Sequence, residues 1–120
     1  MNKEKAMSGR KILCVESEPE NLAILTYMLE GMGYEVLTAT NSWQAIAVLG
    51  KQTMDGVLLD HNLPNASGTE LRRQLKMIQP DIPVLLFEGV GSQTPFMVRF
   101  FDSYLRNGER HTDGVGEFES

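Results

Sequence analysis

Val57-Leu58-Leu59-Asp60-His61-Asn62-Leu63-Pro64 is the stretch that decides the fold. Its apolar residues do not alternate with polar ones, so the strand they form is buried on both faces, as in a parallel sheet. The strand ends in a carboxylate, which must sit where water or a cation can reach it. In an open parallel α/β sheet that place is the crevice beyond the carboxyl ends of the strands. A second acid, Glu16, closes another apolar run, Ile12-Leu13-Cys14-Val15. If both strands lie centrally and parallel, Glu16 and Asp60 meet in one crevice.

Working outward, residues 11–15 read as the first strand. Ser17-Glu18-Pro19-Glu20 opens a helix, with Ser17 as cap, Pro19 in the first turn and Glu20 completing a capping box. Leu22, Leu25, Met28 and Leu29 follow at helical spacing, and Gly31-Met32-Gly33 stops the helix. Residues 34–39 form a second strand. Asn41-Ser42 caps a helix with Ala45, Ile46, Val48 and Leu49 inward. Residues 54–60 are the third strand, and Ser67-Gly68-Thr69-Glu70 starts a helix that Pro80 ends. Residues 82–87 are the fourth strand. Residues 92–101 suit a short helix with Pro95 in its first turn, and Tyr104-Leu105 suits a brief fifth strand. The pattern predicts a flexible segment at 1–9, one domain at 10–108 and a loose tail at 109–120. Strands alternating with helices predict an α/β sandwich with right-handed crossovers.

The composition is that of an ordinary globular domain, 42% hydrophobic and 22% charged in 120 residues. A net charge of -5 argues against a nucleic-acid surface. No apolar run reaches membrane-spanning length. The lone Cys14 reads as a buried hydrophobe in a reducing compartment, which predicts a cytoplasmic location.

Together these segments resemble the receiver domain of two-component response regulators over about residues 10–108. The resemblance rests on residues 12–19, on Gly33-Tyr34-Glu35-Val36, on Leu58 to Pro64, on Gly68-Thr69-Glu70-Leu71, on residues 82–87 and on Asp102-Ser103-Tyr104-Leu105. It implies a flavodoxin-like (CheY-like) doubly wound sheet of five parallel strands in the order 2-1-3-4-5. The last helix, which in the family lies beside the first, has no matching sequence and is expected to be missing or truncated. Apolar surface on the first helix and the last strand would then be exposed, which predicts either self-association as a homodimer or a chain cut from a longer protein.

The resemblance also implies roles, and a signalling module rather than an enzyme. Asp60 matches the aspartate that accepts a phosphoryl group from a histidine kinase or phosphotransfer protein. Glu16 and Ser17 match the acidic pair that holds Mg2+, with Asp60 and the backbone carbonyl of Asn62 as further ligands. Glu88 stands at the family's Ser/Thr position, Asn107 at its Lys position, and Tyr104 at its switch aromatic. Three departures bear on the chemistry. Ser17 supplies a hydroxyl where the family has a second acid, and it suits a helix cap with Glu20 better than a metal ligand. Asn107 carries no charge, and losing one preorganised donor costs about 3–4 kcal/mol at comparable oxyanion sites. Glu88, if about 4 Å from the phosphoryl group, repels it by about 4 kcal/mol at an effective dielectric near 20. The expected reading is a receiver with weakened phosphorylation. The alternative is a pseudo-receiver that acts only as an interaction or dimerisation module. A third reading, an aspartyl phosphatase of the haloacid dehalogenase type, needs an acid where Asn62 stands.

Overall fold

The computed structural model describes residues 9–107. The expectations for a flexible N-terminal segment and a loose tail fall almost wholly on residues 1–8 and 108–120, outside that range. Strand β1 (Lys11–Val15) leads to helix α1 (Pro19–Gly31), then β2 (Glu35–Ala39), α2 (Ser42–Lys51), β3 (Gly56–Asp60), α3 (Gly68–Ile78), β4 (Val84–Phe87) and α4 (Thr94–Asn107). The strands are parallel in the order β2-β1-β3-β4. The pairs Leu13↔Leu37, Leu13↔Val57 and Val57↔Val84 fix the register.

Two apolar layers cover the sheet, as the unbroken runs in β1, β3 and β4 require. On one face Leu13, Val15, Val57 and Leu59 pack with Ala45 and Leu49 of α2 and Leu71 and Leu75 of α3. On the other, Ile12, Cys14, Leu58, Leu85 and Phe87 pack with Leu25 and Leu29 of α1 and with Met97, Val98, Phe101 and Leu105 of α4. The two helix caps read from sequence at Asn41 and Ser67 form, each side-chain oxygen accepting from the backbone N–H three residues on, at 2.9 and 3.1 Å. Gly33, at φ 98°, makes the left-handed turn that ends α1.

Two expectations are corrected. Tyr104 and Leu105 belong to no fifth strand; they lie in the last turns of α4, and four strands stand among the described residues. Met97, Val98, Phe101 and Leu105 keep one helical period from residue 97 to 105, so one continuous helix buries them together. The face of α1 is likewise not left bare. Helix α4 lies beside it, on the side of the sheet where the resemblance puts the family's last helix. What lets α4 approach is Gly56, where an added Cβ would meet Leu105 Cδ2 at 2.9 Å and Phe101 Cζ at 3.2 Å. Polar ties hold its lower end. Tyr34 donates its hydroxyl to Asp102, Arg106 reaches the same carboxylate at 3.0 Å, and Arg10 donates to the Leu105 carbonyl at 2.9 Å.

Candidate functional site

Val15 and Leu59 are paired, so the next residues, Glu16 and Asp60, stand side by side where β1 and β3 end. Alternation points both toward the α1/α4 face, in step with Cys14 and Leu58. Glu16 is 1% exposed and Asp60 5%. The Glu16 N–H donates to the Ala39 carbonyl at 3.1 Å, which fixes its backbone at the mouth of the sheet. Its Oε2 accepts from the Glu18 N–H at 2.9 Å, while its Oε1 is buried with no hydrogen-bond partner. Burial pushes the Glu16 carboxyl up to about 7; the neighbouring Asp60 charge adds to this, and the Glu18 N–H and the Asn21 side chain pull the other way. The sequence analysis does not single out Asn21. Its place one turn into α1, just after the acid, is the signal that would have found it. Burial, then the charges of Glu16 and Asp60, hold the Cys14 thiol far above its usual range, so it is no nucleophile.

The loop after β3 is closed tightly around Asp60. Its Oδ1 accepts from the Asn62 N–H at 3.1 Å. His61 is tied by its N–H to the Phe87 carbonyl at 2.7 Å, and its own carbonyl accepts from Gly68 at 3.0 Å. Asn62 and Ser67 form an isolated bridge that closes residues 62–67 into a loop. Gly68 permits this closure, because a Cβ there would meet His61 Cα at 2.8 Å, Leu86 Cδ2 at 2.8 Å and the Asp60 carbonyl at 3.0 Å. Two of those atoms are backbone and cannot swing aside. Gly68→Ala is therefore expected to destabilise the fold by about 1–3 kcal/mol despite alanine's better helix propensity. Urea denaturation checks this, and a stabilised variant would contradict the close approach.

The remaining residues are placed as follows. Ser17 is half-buried beside Glu16, but it is not the cap of α1. Pro19 occupies the first turn, the cap falls on Glu18, and no side-chain cap bond forms. The expected Ser17–Glu20 box is thus corrected, since the Glu16 carboxylate already takes the Glu18 N–H. Glu88 follows β4 and is exposed. Because it is exposed, solvent weakens the repulsion expected of it. Tyr104 and Asn107 flank Leu105, which touches Gly56 at the start of β3. Asp60 is four residues further along that strand, roughly 13 Å at strand rise. The structure therefore brings Glu16, Ser17, Asp60 and Asn62 together and leaves Tyr104 and Asn107 at the other end of the sheet. The ion pairs Arg73–Glu70 and Arg106–Asp102 do not involve Glu16 or Asp60.

Mg2+ takes oxygen ligands in an octahedron and is commonly held by one or two carboxylates with several waters. Two adjacent carboxylates, one oxygen of them buried and unpaired, fit such an ion. Among the described residues no group of three or more acidic, histidine or cysteine side chains adds to them.

A parallel sheet in this order, with its crevice beyond the ends of β1 and β3, defines the class of doubly wound, flavodoxin-like α/β domains. The chain belongs to the response regulator receiver domain family, whose profile matches residues 12–103. It is 39% identical over 89 residues to the phosphate regulon transcriptional regulatory protein PhoB of Pseudomonas aeruginosa, covering 72% of this chain and 39% of that protein. It is 31% identical over 85 residues to sporulation initiation phosphotransferase F of Bacillus subtilis, covering 71% of this chain and 68% of the other. The response regulator TrrA of Thermotoga maritima, solved in complex with Mg2+–BeF, matches with a TM-score of 0.64 and 26% identity over 76% of this chain and 79% of its own. A receiver domain of a Pseudomonas aeruginosa sensor histidine kinase, with a magnesium ion in its active-site cleft, shares the fold at a TM-score of 0.71 and 22% identity, over 85% and 98% of the two chains. The chain is thus a receiver domain of two-component systems, a kind of signalling module related to histidine kinases and phosphotransfer proteins. No helix among the described residues is long and apolar enough to cross a membrane.

Proposed function

We propose that this receiver takes a phosphoryl group on Asp60 from a histidine kinase or phosphotransfer protein, in the cytoplasm, slowly and at a Mg2+ site built on Glu16 and Asp60. The observation that carries this is the pairing of the two buried acids with Glu16 Oε1 unsatisfied. A carboxylate oxygen of Asp60 attacks the phosphorus of a phosphohistidine in line. The new P–O bond forms as the P–N bond breaks, and the imidazole nitrogen leaves with the electron pair. Glu16 and Asp60 would hold Mg2+, which when bound would supply positive charge to offset the phosphoryl oxygens. The chain's own part is to hold the nucleophile. The Asn62 N–H on Oδ1 and the His61–Phe87 and His61–Gly68 bonds fix Asp60 in place. Ser17 and the Asn62 carbonyl would be the ion's further ligands, as the family resemblance implies.

Slowness follows from the cationic help that is lacking. The residue at the family's lysine position, Asn107, is neutral and stands at the far end of the sheet. One missing donor at about 3–4 kcal/mol is roughly a 10²–10³-fold slower transfer. With acetyl phosphate and Mg2+, intact mass measurement is expected to show one phosphate gained about 100-fold or more slowly than by the Bacillus subtilis phosphotransferase. Asp60→Asn should gain none. Labelling that persists in Asp60→Asn would remove Asp60 from the role. No labelling of the wild type, even after long incubation, would favour the pseudo-receiver reading, which the placement of Tyr104 and Asn107 also supports.

A further inference from the structure

Helices α1 and α4 leave a groove of about 590 Å³ between them. Met28 and Met32 form its floor, half-buried and packed against the core. Tyr27 and Glu30 stand on the α1 wall, and Pro95 and Arg99 on the α4 wall, all exposed. The groove therefore leaves apolar surface uncovered at the lower end of α1. The charge at that end is also unbalanced. Helices α2, α3 and α4 carry Lys51, Lys76 and Arg106 in their last turns, where a cation suits the negative end of the helix dipole. Helix α1 has no basic residue in its last turn and carries Glu30 there instead.

The chain enters the fold beside this end. The Gly9 N–H donates to the Gly33 carbonyl at 3.1 Å, one residue beyond Met32. Gly9 has φ 88°, so the backbone turns out of the line of β1 at that point. The residues before it, Met1-Asn2-Lys3-Glu4-Lys5-Ala6-Met7-Ser8, lie outside the described range.

We propose that residues 1–8 occupy this groove, with Ala6 and Met7 over Met28 and Met32, and with Lys3 and Lys5 toward Glu30. Reach is ample. Eight extended residues span up to about 26–29 Å, and the α1 wall from Gly31 back to Tyr27 is only about 6 Å long. Ala6 and Met7 are nearest the point of entry, where the floor is apolar. Alternate residues of an extended chain face opposite sides, so Lys3 and Lys5 point one way and Glu4 the other. Glu30 on one wall and Arg99 on the other offer the same division of charge. The lysines supply the cation that the last turn of α1 lacks. Residues 108–120 fit less well, because they bring four acids and one arginine to a helix end that is already acidic. The groove is thus filled by its own chain, and it opens to another apolar segment only when residues 1–8 are released.

A nitroxide on the full chain tests this. Asn2→Cys provides one reactive thiol, because Cys14 is fully buried. In a sample with labelled methionine methyls, the Met28 and Met32 signals are expected to be lost to broadening. Met77, 71% exposed on α3 across the sheet, should keep its signal. Lys3→Glu combined with Lys5→Glu should restore Met28, and so should Met7→Asp, whereas a segment that is merely tethered nearby would respond to neither. Far-UV circular dichroism confirms that the variants fold. Broadening no greater at Met28 and Met32 than at Met77 would overturn the proposal. So would broadening that survives both variants, or broadening that appears when the nitroxide and the labelled methyls are on different copies. The outcome is independent of whether Asp60 takes phosphate.

Discussion

Phe101→Ala is expected to cost about 3–5 kcal/mol, while Phe100→Ala, one residue earlier, costs about 1 kcal/mol or less. The contrast comes from where the helix puts each ring. Phe101 is fully buried between α4 and the sheet, against the bare backbone of Gly56. Removing it leaves a void that α4 cannot close by settling inward, because Arg10, Tyr34 and Asp102 already fix its lower end. Phe100 faces outward and loses little contact with the core. Domains of this size are stable by about 5–15 kcal/mol, so Phe101→Ala approaches the point of unfolding. Urea midpoints at dilute protein, with unchanged slopes, give both numbers. Equal losses at the two positions would mean that α4 does not lie on the α1 face as described.

That pair of residues also marks where the sequence stops being legible. Strands β1, β3 and β4 are readable because a double-buried parallel strand is a short unbroken apolar run, and nothing else in the chain looks like Leu58-Leu59 followed by an acid. The convergence of Glu16 and Asp60 is legible because each closes an apolar run and the family's strand order sets those runs side by side. The last third is not. Phe100-Phe101 and Tyr104-Leu105 are aromatic and apolar doublets that suit a strand as well as a helix over so short a window. The family's strand order then favoured the strand. Only the longer spacing of Met97, Val98, Phe101 and Leu105, together with a glycine at position 56, selects the helix. The same choice carried Tyr104 and Asn107 into the expected site, because a strand would have delivered them to the crevice and a helix delivers them elsewhere. The Ser17 cap failed for a different reason. Whether a serine or the residue after it caps a helix depends on which N–H groups are already taken, and the Glu16 side chain had taken one.

Glu16→Gln is expected to remove most of the effect that pH and Mg2+ have on stability. In the folded protein the Glu16 carboxyl is pushed up to about 7 by burial and by Asp60, above the ordinary value of 4.5 that it regains on unfolding. Between these values the folded chain holds a proton that the unfolded chain has lost, so stability falls as pH rises through the window and levels off above about 7. Glutamine carries no titrating proton, keeps an oxygen to accept the Glu18 N–H, and leaves Asp60 without a charged neighbour. The melting temperature of the wild type should therefore drop from pH 5 to pH 8 more steeply than that of Glu16→Gln, and at pH 8 without divalent cation the variant should be the more stable of the two. Mg2+ changes the order. A cation bound between the carboxylates takes the place of the proton and stabilises by mass action, so it should raise the wild-type melting temperature at pH 8 and leave the variant nearly unmoved. Calorimetry at both pH values, with and without Mg2+, separates the two effects. Parallel pH slopes for the two proteins would mean that Glu16 is already ionised in the fold, and an equal Mg2+ response would place the cation somewhere other than between these two acids.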